Sequence, residues 1–317
     1  MYRSLDDSKD GKTVLTSSIM LITIVILCVH NINAISSSWN EIVHIKVYKL
    51  ISAMHIWCIE IVVLELKDLT IGYEKPLISN INIELKSPHI LLIIGPNGVG
   101  KTTFLKTLMG LVKPYAGRIY VNKIDITGNT EQAGMFIDYI PQLSGMASIT
   151  SFPITVWEFI EFGLLMHLRK LNLKIGKNEV RKIIKEVLNM VKIDEGLWHK
   201  SIWKLSGGER QRLFIARVIA NNQSIILLDE PLSSIDPEGK TGIIDIISNL
   251  RKDKIIIITC HDPEMFLPIT DDIMIFGKGT YYIGKPMEIL KMDVLKKVYG
   301  KSAIRLKDHV HIYDHHT

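Results

Sequence analysis

Apolar residues along this chain recur in two patterns that alternate. The unbroken runs Ile90-Leu91-Leu92-Ile93-Ile94, Ile225-Ile226-Leu227-Leu228 and Ile255-Ile256-Ile257-Ile258 read as strands buried on both faces of a parallel sheet. Ile61 to Leu66 and Ile81-Asn82-Ile83-Glu84-Leu85 alternate apolar with polar, as half-exposed strands do. With Leu69-Thr70-Ile71-Gly72-Tyr73 they predict an antiparallel layer beside the parallel core. Arg118 to Val121 and Met135 to Ile140 predict further short strands. Ile273 to Phe276 and Tyr281 to Ile283, joined by Gly277-Lys278-Gly279, predict a hairpin. Helical spacing predicts helices over Phe104 to Val112, stopped by Pro114, over Trp157 to Leu168, over Asn178 to Val191 and over Glu209 to about Ala220. In the third of these, Val180, Ile183, Ile184, Val187, Leu188 and Val191 face one way and the charges face the other. From Leu143 to Lys204 the pattern is helical throughout, so the region reads as an insert.

Composition changes this picture little. With 317 residues, 47% hydrophobic and 22% charged, the chain suits a globular α/β protein with a real core. A net charge of +5, spread along the chain, does not argue for nucleic acid. Cys28, Cys58 and Cys260 form no CxxC, and a reduced intracellular compartment is the simplest inference.

The chemistry gathers at the ends of the buried runs. Gly95-Pro96-Asn97-Gly98-Val99-Gly100-Lys101-Thr102-Thr103 follows one strand and opens a helix. Glycines let successive N–H groups curl inward at phosphate oxygens, and the helix N-terminus adds its partial positive charge. Lys101 is placed to reach the β- and γ-phosphates of ATP, and Thr102 to hold Mg²⁺. Asp229 and Glu230 emerge where a second buried strand ends, the edge at which open α/β sheets bind ligands. Asp229 is expected to bind Mg²⁺, directly or through water, leaving Glu230 free to polarise an attacking water. Gln142, at another strand end, can reach Mg²⁺ and that water with its carbonyl oxygen. His261 ends a third strand, where it can contact a γ-phosphate. Tyr73 can stack on the base. Leu205-Ser206-Gly207-Gly208-Glu209-Arg210-Gln211 starts a helix behind a serine cap, which makes a second anion-binding helix start in one chain. Ser233-Ser234-Ile235-Asp236 reads as a turn able to cross to a partner subunit.

Together these stretches, over about residues 60 to 290, resemble the ATP-binding subunit of ABC transporters. The resemblance identifies Gly95 to Thr103 as Walker A, Gln142 as the Q-loop, Leu205 to Gln211 as the signature and Ile225 to Glu230 as Walker B. It likewise makes Ser233 to Asp236 the D-loop, His261 the H-loop and Tyr73 the aromatic A-loop. It implies an α/β fold: a P-loop NTPase core with a mixed, largely parallel sheet, an antiparallel β layer and an inserted α-helical subdomain at about 143–204. It further implies a head-to-tail dimer, with ATP between Walker A of one copy and the signature of the other. Ser206, Gly207, Gly208, Glu209 and Asp236 then serve the partner's nucleotide. The family couples closure to transmembrane permease subunits through the surface near Gln142 and the insert, on the cytoplasmic face of the membrane, and works with an extracytoplasmic substrate-binding protein. Phe152-Pro153-Ile154-Thr155-Val156 looks like the corresponding stretch of zinc and manganese importer ATPases, with siderophore and cobalamin importers as near relatives. The alternatives are another substrate, or a non-transport ABC protein. The short gap between Gln142 and the signature carries no heptads, against a repair ATPase. One cassette in the chain argues against a translation factor, and a scaffold ATPase stays open.

Residues 1–58 read as an extension before a domain at 59–300 and a tail at 301–317. Ile19 to Val29 is apolar but short of the roughly twenty residues that span a bilayer. It reads as a membrane anchor, a signal-like segment, or an upstream extension outside the working protein, whose chain then starts near Met54. A secreted ATP-binding domain would lack ATP, which disfavours the signal. In the tail, His309, His311, His315 and His316 read as a solvated end or as transition-metal ligands.

Overall fold

The computed structural model describes residues 61–143, 153–233, 235–300, 303–305 and 310–312. The apolar N-terminal segment, Phe152, Ser234, His309, His315 and His316 lie outside them.

Two sheets carry the fold. The first is antiparallel, in the order β2 (Pro76–Lys86), β1 (Val63–Gly72), β4 (Ala116–Val121), β5 (Ile124–Asp125). The second runs β10 (Tyr281–Gly284), β9 (Asp272–Phe276), β3 (His89–Ile94), β8 (Ile255–Thr259), β7 (Ile225–Asp229), β6 (Ile137–Ile140), parallel except for β10. The unbroken apolar runs are the central strands of this second sheet. Their side chains divide between two cores. Ile90, Leu92 and Ile94 pack with the helices, while Leu91 and Ile93 pack with the antiparallel layer. Each fully buried Ile or Leu contributes about 1.5–3 kcal/mol, so a strand sandwiched in this way is held from both faces.

The predicted strands at Ile61 to Leu66 and Leu69 to Tyr73 are one strand, β1. The chain passes between them by an irregularity at Leu66/Leu69, where Asp68 has φ 49°. The helix after the glycine loop, α1 (Lys101–Leu108), starts earlier and stops sooner than its apolar spacing suggests. Gly110, with φ 71°, ends it before Pro114 is reached. A Cβ there would come 2.8 Å from the Asn129 carbonyl carbon, beside the short helix α2 (Thr130–Ala133). β6 likewise begins at Ile137, not Met135.

Between β6 and β7 come α3 (Val156–Lys170) and α4 (Lys177–Met190). Thr155 caps α3 through a reciprocal box with Glu158. Val156, Ile160, Leu164 and Leu168 of α3 and Val180, Ile184, Val187 and Leu188 of α4 are buried in the helix-side core. Both helices pack on α5 (Gly207–Asn221), and α6 (Pro237–Leu250) follows β7. The chain closes with α7 (Pro286–Ile289), α8 (Met292–Tyr299) and a ribbon of β11 (Ala303–Arg305) on β12 (Val310–Ile312). Within the tail, the described residues Ala303–Arg305 and Val310–Ile312 pair as antiparallel strands, with His311 opposite Ile304. No helix among the described residues is long and apolar enough to cross a membrane.

Candidate nucleotide site

The centre of the site is the turn from β3 into α1. Gly95, at φ 156°, has room for no side chain: a Cβ would lie 2.7 Å from the Phe276 carbonyl oxygen. Gly100 sits at the helix N-cap with φ 119° and no side-chain cap, and no acidic residue occupies the first turn. The first N–H groups of α1 therefore point at the loop without a side-chain cap, and the helix dipole adds to them. Lys101 folds across the loop, its Nζ donating to the carbonyls of Gly95 at 2.6 Å and Pro96 at 3.2 Å. This is an anion cradle with its cation already in place.

Asp229, 2% exposed, ends β7 directly opposite Thr259 of β8. Its Oδ1 accepts from Thr259 Oγ1 at 2.6 Å and from Thr102 Oγ1 at 3.2 Å. Its Oδ2 accepts from the Tyr139 hydroxyl at 3.1 Å. Burial first, then the charge of Asp229, pushes the Tyr139 phenol well above its ordinary range, so it stays a donor. Hydroxyl and carboxylate oxygens beside a phosphate cradle suit a hard cation such as Mg²⁺. No group of three or more His, Cys, Asp or Glu that could hold a metal occurs among the described residues.

Glu230 has φ 49°, and its N–H donates to both the carbonyl and the hydroxyl of Thr259, each at 3.1 Å. Its carboxylate accepts from Gln142 Nε2 at 2.6 Å and pairs with His261 Nε2. Burial raises its pKa. The hydrogen bond and charge of His261, the charge of Lys101 and the Gln142 bond outweigh that and hold it below the usual glutamate range. The structure thus brings together Gln142, Asp229, Glu230, His261, Lys101 and Thr102. It adds two residues absent from the sequence reading, Tyr139 and Thr259. Cys260, between Thr259 and His261, is buried, and burial pushes its thiol up, out of reactive range.

The remaining candidates lie on other elements. Tyr73 is 57% exposed, and its carbonyl accepts from the Tyr115 hydroxyl at 2.7 Å. Ser206 and Glu209 bond to one another: Ser206 Oγ accepts from the Glu209 N–H at 3.2 Å, and Glu209 Oε2 from the Ser206 N–H at 2.8 Å. Gly207 and Gly208 fall inside the helix, not before it, as the first positions of α5. Asp236 caps α6, accepting from the Gly239 N–H at 3.0 Å. Away from the cradle, a groove of about 970 Å³ lies between α3 and the end of α5, lined by Phe159, Phe162, Met166, His167, Asp138 and Arg217 among others.

Comparison with known proteins agrees with this geometry. The family model described as ABC transporter matches residues 78–233. The chain is 30% identical over 76% of its length to a zinc import ATP-binding protein, ZnuC, of Hydrogenovibrio crunogenus, covering 87% of it. It is 31% identical over 71% of its length to an energy-coupling factor transporter ATP-binding protein, EcfA2, of Clostridium tetani, covering 78% of that protein. Among solved structures, a bacterial ABC transporter cassette described as dimeric superposes with a TM-score of 0.61 and 26% identity, over 70% of this chain and 98% of that one. Cradle, paired carboxylates and these relatives converge: the chain belongs to the ATP-binding proteins of ABC transporters, binds ATP and is an ATPase.

Proposed function

We propose that the chain is the motor of a transporter, bound to the cytoplasmic face of the membrane through separate permease subunits and importing a metal ion or metal chelate. The observation that carries the reading is the convergence of Gln142, Asp229, Glu230 and His261 on the strand ends facing the cradle. The loop from Gly95 to Thr103 holds the ATP phosphates, Lys101 leaving the Gly95 carbonyl for the β- and γ-phosphates. Tyr73 covers the base. Thr102 and Asp229 hold Mg²⁺, with Gln142 able to turn its carbonyl toward the same place. When bound, the cation neutralises the charge that develops on the phosphates. Glu230, held ionised by its neighbours, accepts hydrogen bonds from water and can take its proton. His261, paired with Glu230, lies where a γ-phosphate would meet it.

Ser206, Gly207, Gly208, Glu209 and Asp236 serve the nucleotide of a second copy or close relative. The dimeric cassette among the similar structures supports that reading. The groove beside α3, with Phe162 and Met166 exposed at its edge, offers permease subunits an apolar seat. An extracytoplasmic binding protein completes the importer.

Metal import is supported by the zinc-import relative and by Pro153 to Val156. The energy-coupling relative supports a second reading, in which the same motor drives a different kind of permease. Extraction of the full chain from native membranes decides between motor and scaffold. A polytopic subunit co-purifies, and proteoliposomes of the complex accumulate zinc or manganese only with ATP. Recovery of the chain wholly in the soluble fraction, hydrolysing ATP with no polytopic partner, overturns transport. Accumulation of neither metal by an active complex overturns the metal assignment alone.

A further inference from the structure

Asp229 is tethered from three directions. Thr102 comes from the start of α1, Thr259 from β8 and Tyr139 from β6. Thr102 and Thr259 both donate to Oδ1, while the Tyr139 hydroxyl donates to Oδ2. That division matters because the terminal torsion of an aspartate is soft. Tethers on one oxygen leave the carboxylate free to swivel about it, and a tether on the other oxygen fixes its plane. Tyr139 is well placed to do this. It pairs with Leu227, two positions before Asp229 on the same face of β7, and its ring packs in the core on the antiparallel side. The hydroxyl position is therefore set by strand register, not by a mobile loop.

We propose that Tyr139 is a positioning residue for the cation site, its hydroxyl holding Oδ2 so that the Asp229 carboxylate meets the metal–nucleotide complex in one orientation. The Thr102 bond, the longest of the three, would be the one given up if that hydroxyl held the metal. Thr259 and Tyr139 then keep the carboxylate aimed. The proposal rests on the assignment of the cation to Thr102 and Asp229.

Tyr139→Phe keeps the ring in the core and deletes only the hydroxyl. The full-length variant is titrated with Mn²⁺ in the presence of a non-hydrolysable ATP analogue, and free Mn²⁺ is read by electron paramagnetic resonance. Partners that orient metal ligands typically govern 10- to 100-fold in affinity, so about tenfold weaker Mn²⁺ binding is expected. Analogue binding without a divalent cation is unchanged. In turnover, the Mg²⁺ concentration for half-maximal rate rises, and kcat at saturating Mg²⁺ returns toward the parent value. Asp229→Asn is the companion variant. If it abolishes Mn²⁺ binding while Tyr139→Phe leaves it intact, the role of Tyr139 is refuted. If Asp229→Asn itself binds Mn²⁺ as the parent does, the cation assignment falls and the proposal with it.

Discussion

Two of the described helices begin beside glycines, α1 after a glycine-rich turn and α5 with Gly207 and Gly208 as its own first residues, and they begin differently. At α1 the N-cap is a glycine without a side-chain cap, the first turn holds no acid, and a lysine folds over the loop. At α5 the first turn caps itself, Ser206 taking the Glu209 N–H and Glu209 the Ser206 N–H. The first start keeps its donors for an anion and is wired to the rest of the chain, because Thr102 reaches Asp229 across the sheet. The second is locally complete, and the N–H groups of Gly207 and Gly208 lie outside its box. One is a binding site built by the whole fold. The other is a self-capped helix start, to which the proposed function assigns the nucleotide of a partner chain. On the proposed reading, a single chain carrying both loads ATP at the first start and lends the second to the nucleotide of a partner chain.

The widest test of this contrast is Glu230→Gln. It removes the carboxylate proposed as proton acceptor while leaving both helix starts intact, so turnover should fall about 10²- to 10⁴-fold. ATP binding should persist, and ATP-loaded dimers should accumulate in size-exclusion chromatography with light scattering. Parent-like steady-state hydrolysis would contradict the assignment. Lys101→Ala breaks the first start alone. A hydrogen bond to a charged group is worth about 1.5–3 kcal/mol, so ATP binding to the isolated chain should weaken roughly 10- to 100-fold by calorimetry. Unchanged affinity would place the phosphates elsewhere. Ser206→Ala breaks the second start, and has the smallest effect on the single chain. Loss of the cap should lower stability by about 1 kcal/mol in urea denaturation. It should leave ATP binding to the variant's own loop intact while lowering turnover in the dimer. An affinity loss equal to that of Lys101→Ala would erase the distinction between the two starts.

Much of this was legible in the sequence because apolar runs and glycine loops are local signals. The strands at Ile90, Ile225 and Ile255 and the turn at Gly95 to Thr103 appear where their patterns place them. Relations across the sheet were not legible. Tyr139 and Thr259 look like ordinary strand residues until the registers Tyr139 opposite Leu227 and Asp229 opposite Thr259 are known. No periodicity encodes register between parallel strands so distant in sequence. The stop of α1 departs from the local pattern for a related reason. Gly110 leaves the helix with a positive φ, and Asn129, from a later segment, leaves no room for a Cβ there, whereas Pro114 is the nearest breaker in the local sequence. The irregularity in β1 hid behind Lys67-Asp68, which reads as a break in alternation and is a bend within one strand.

Glu230 keeps a left-handed backbone, tied at its N–H by both oxygens of Thr259. For a residue with a Cβ that geometry costs about 1–2 kcal/mol, of which a glycine would recover only part, because its own chain entropy opposes folding. Foldability and turnover therefore pull this position in opposite directions.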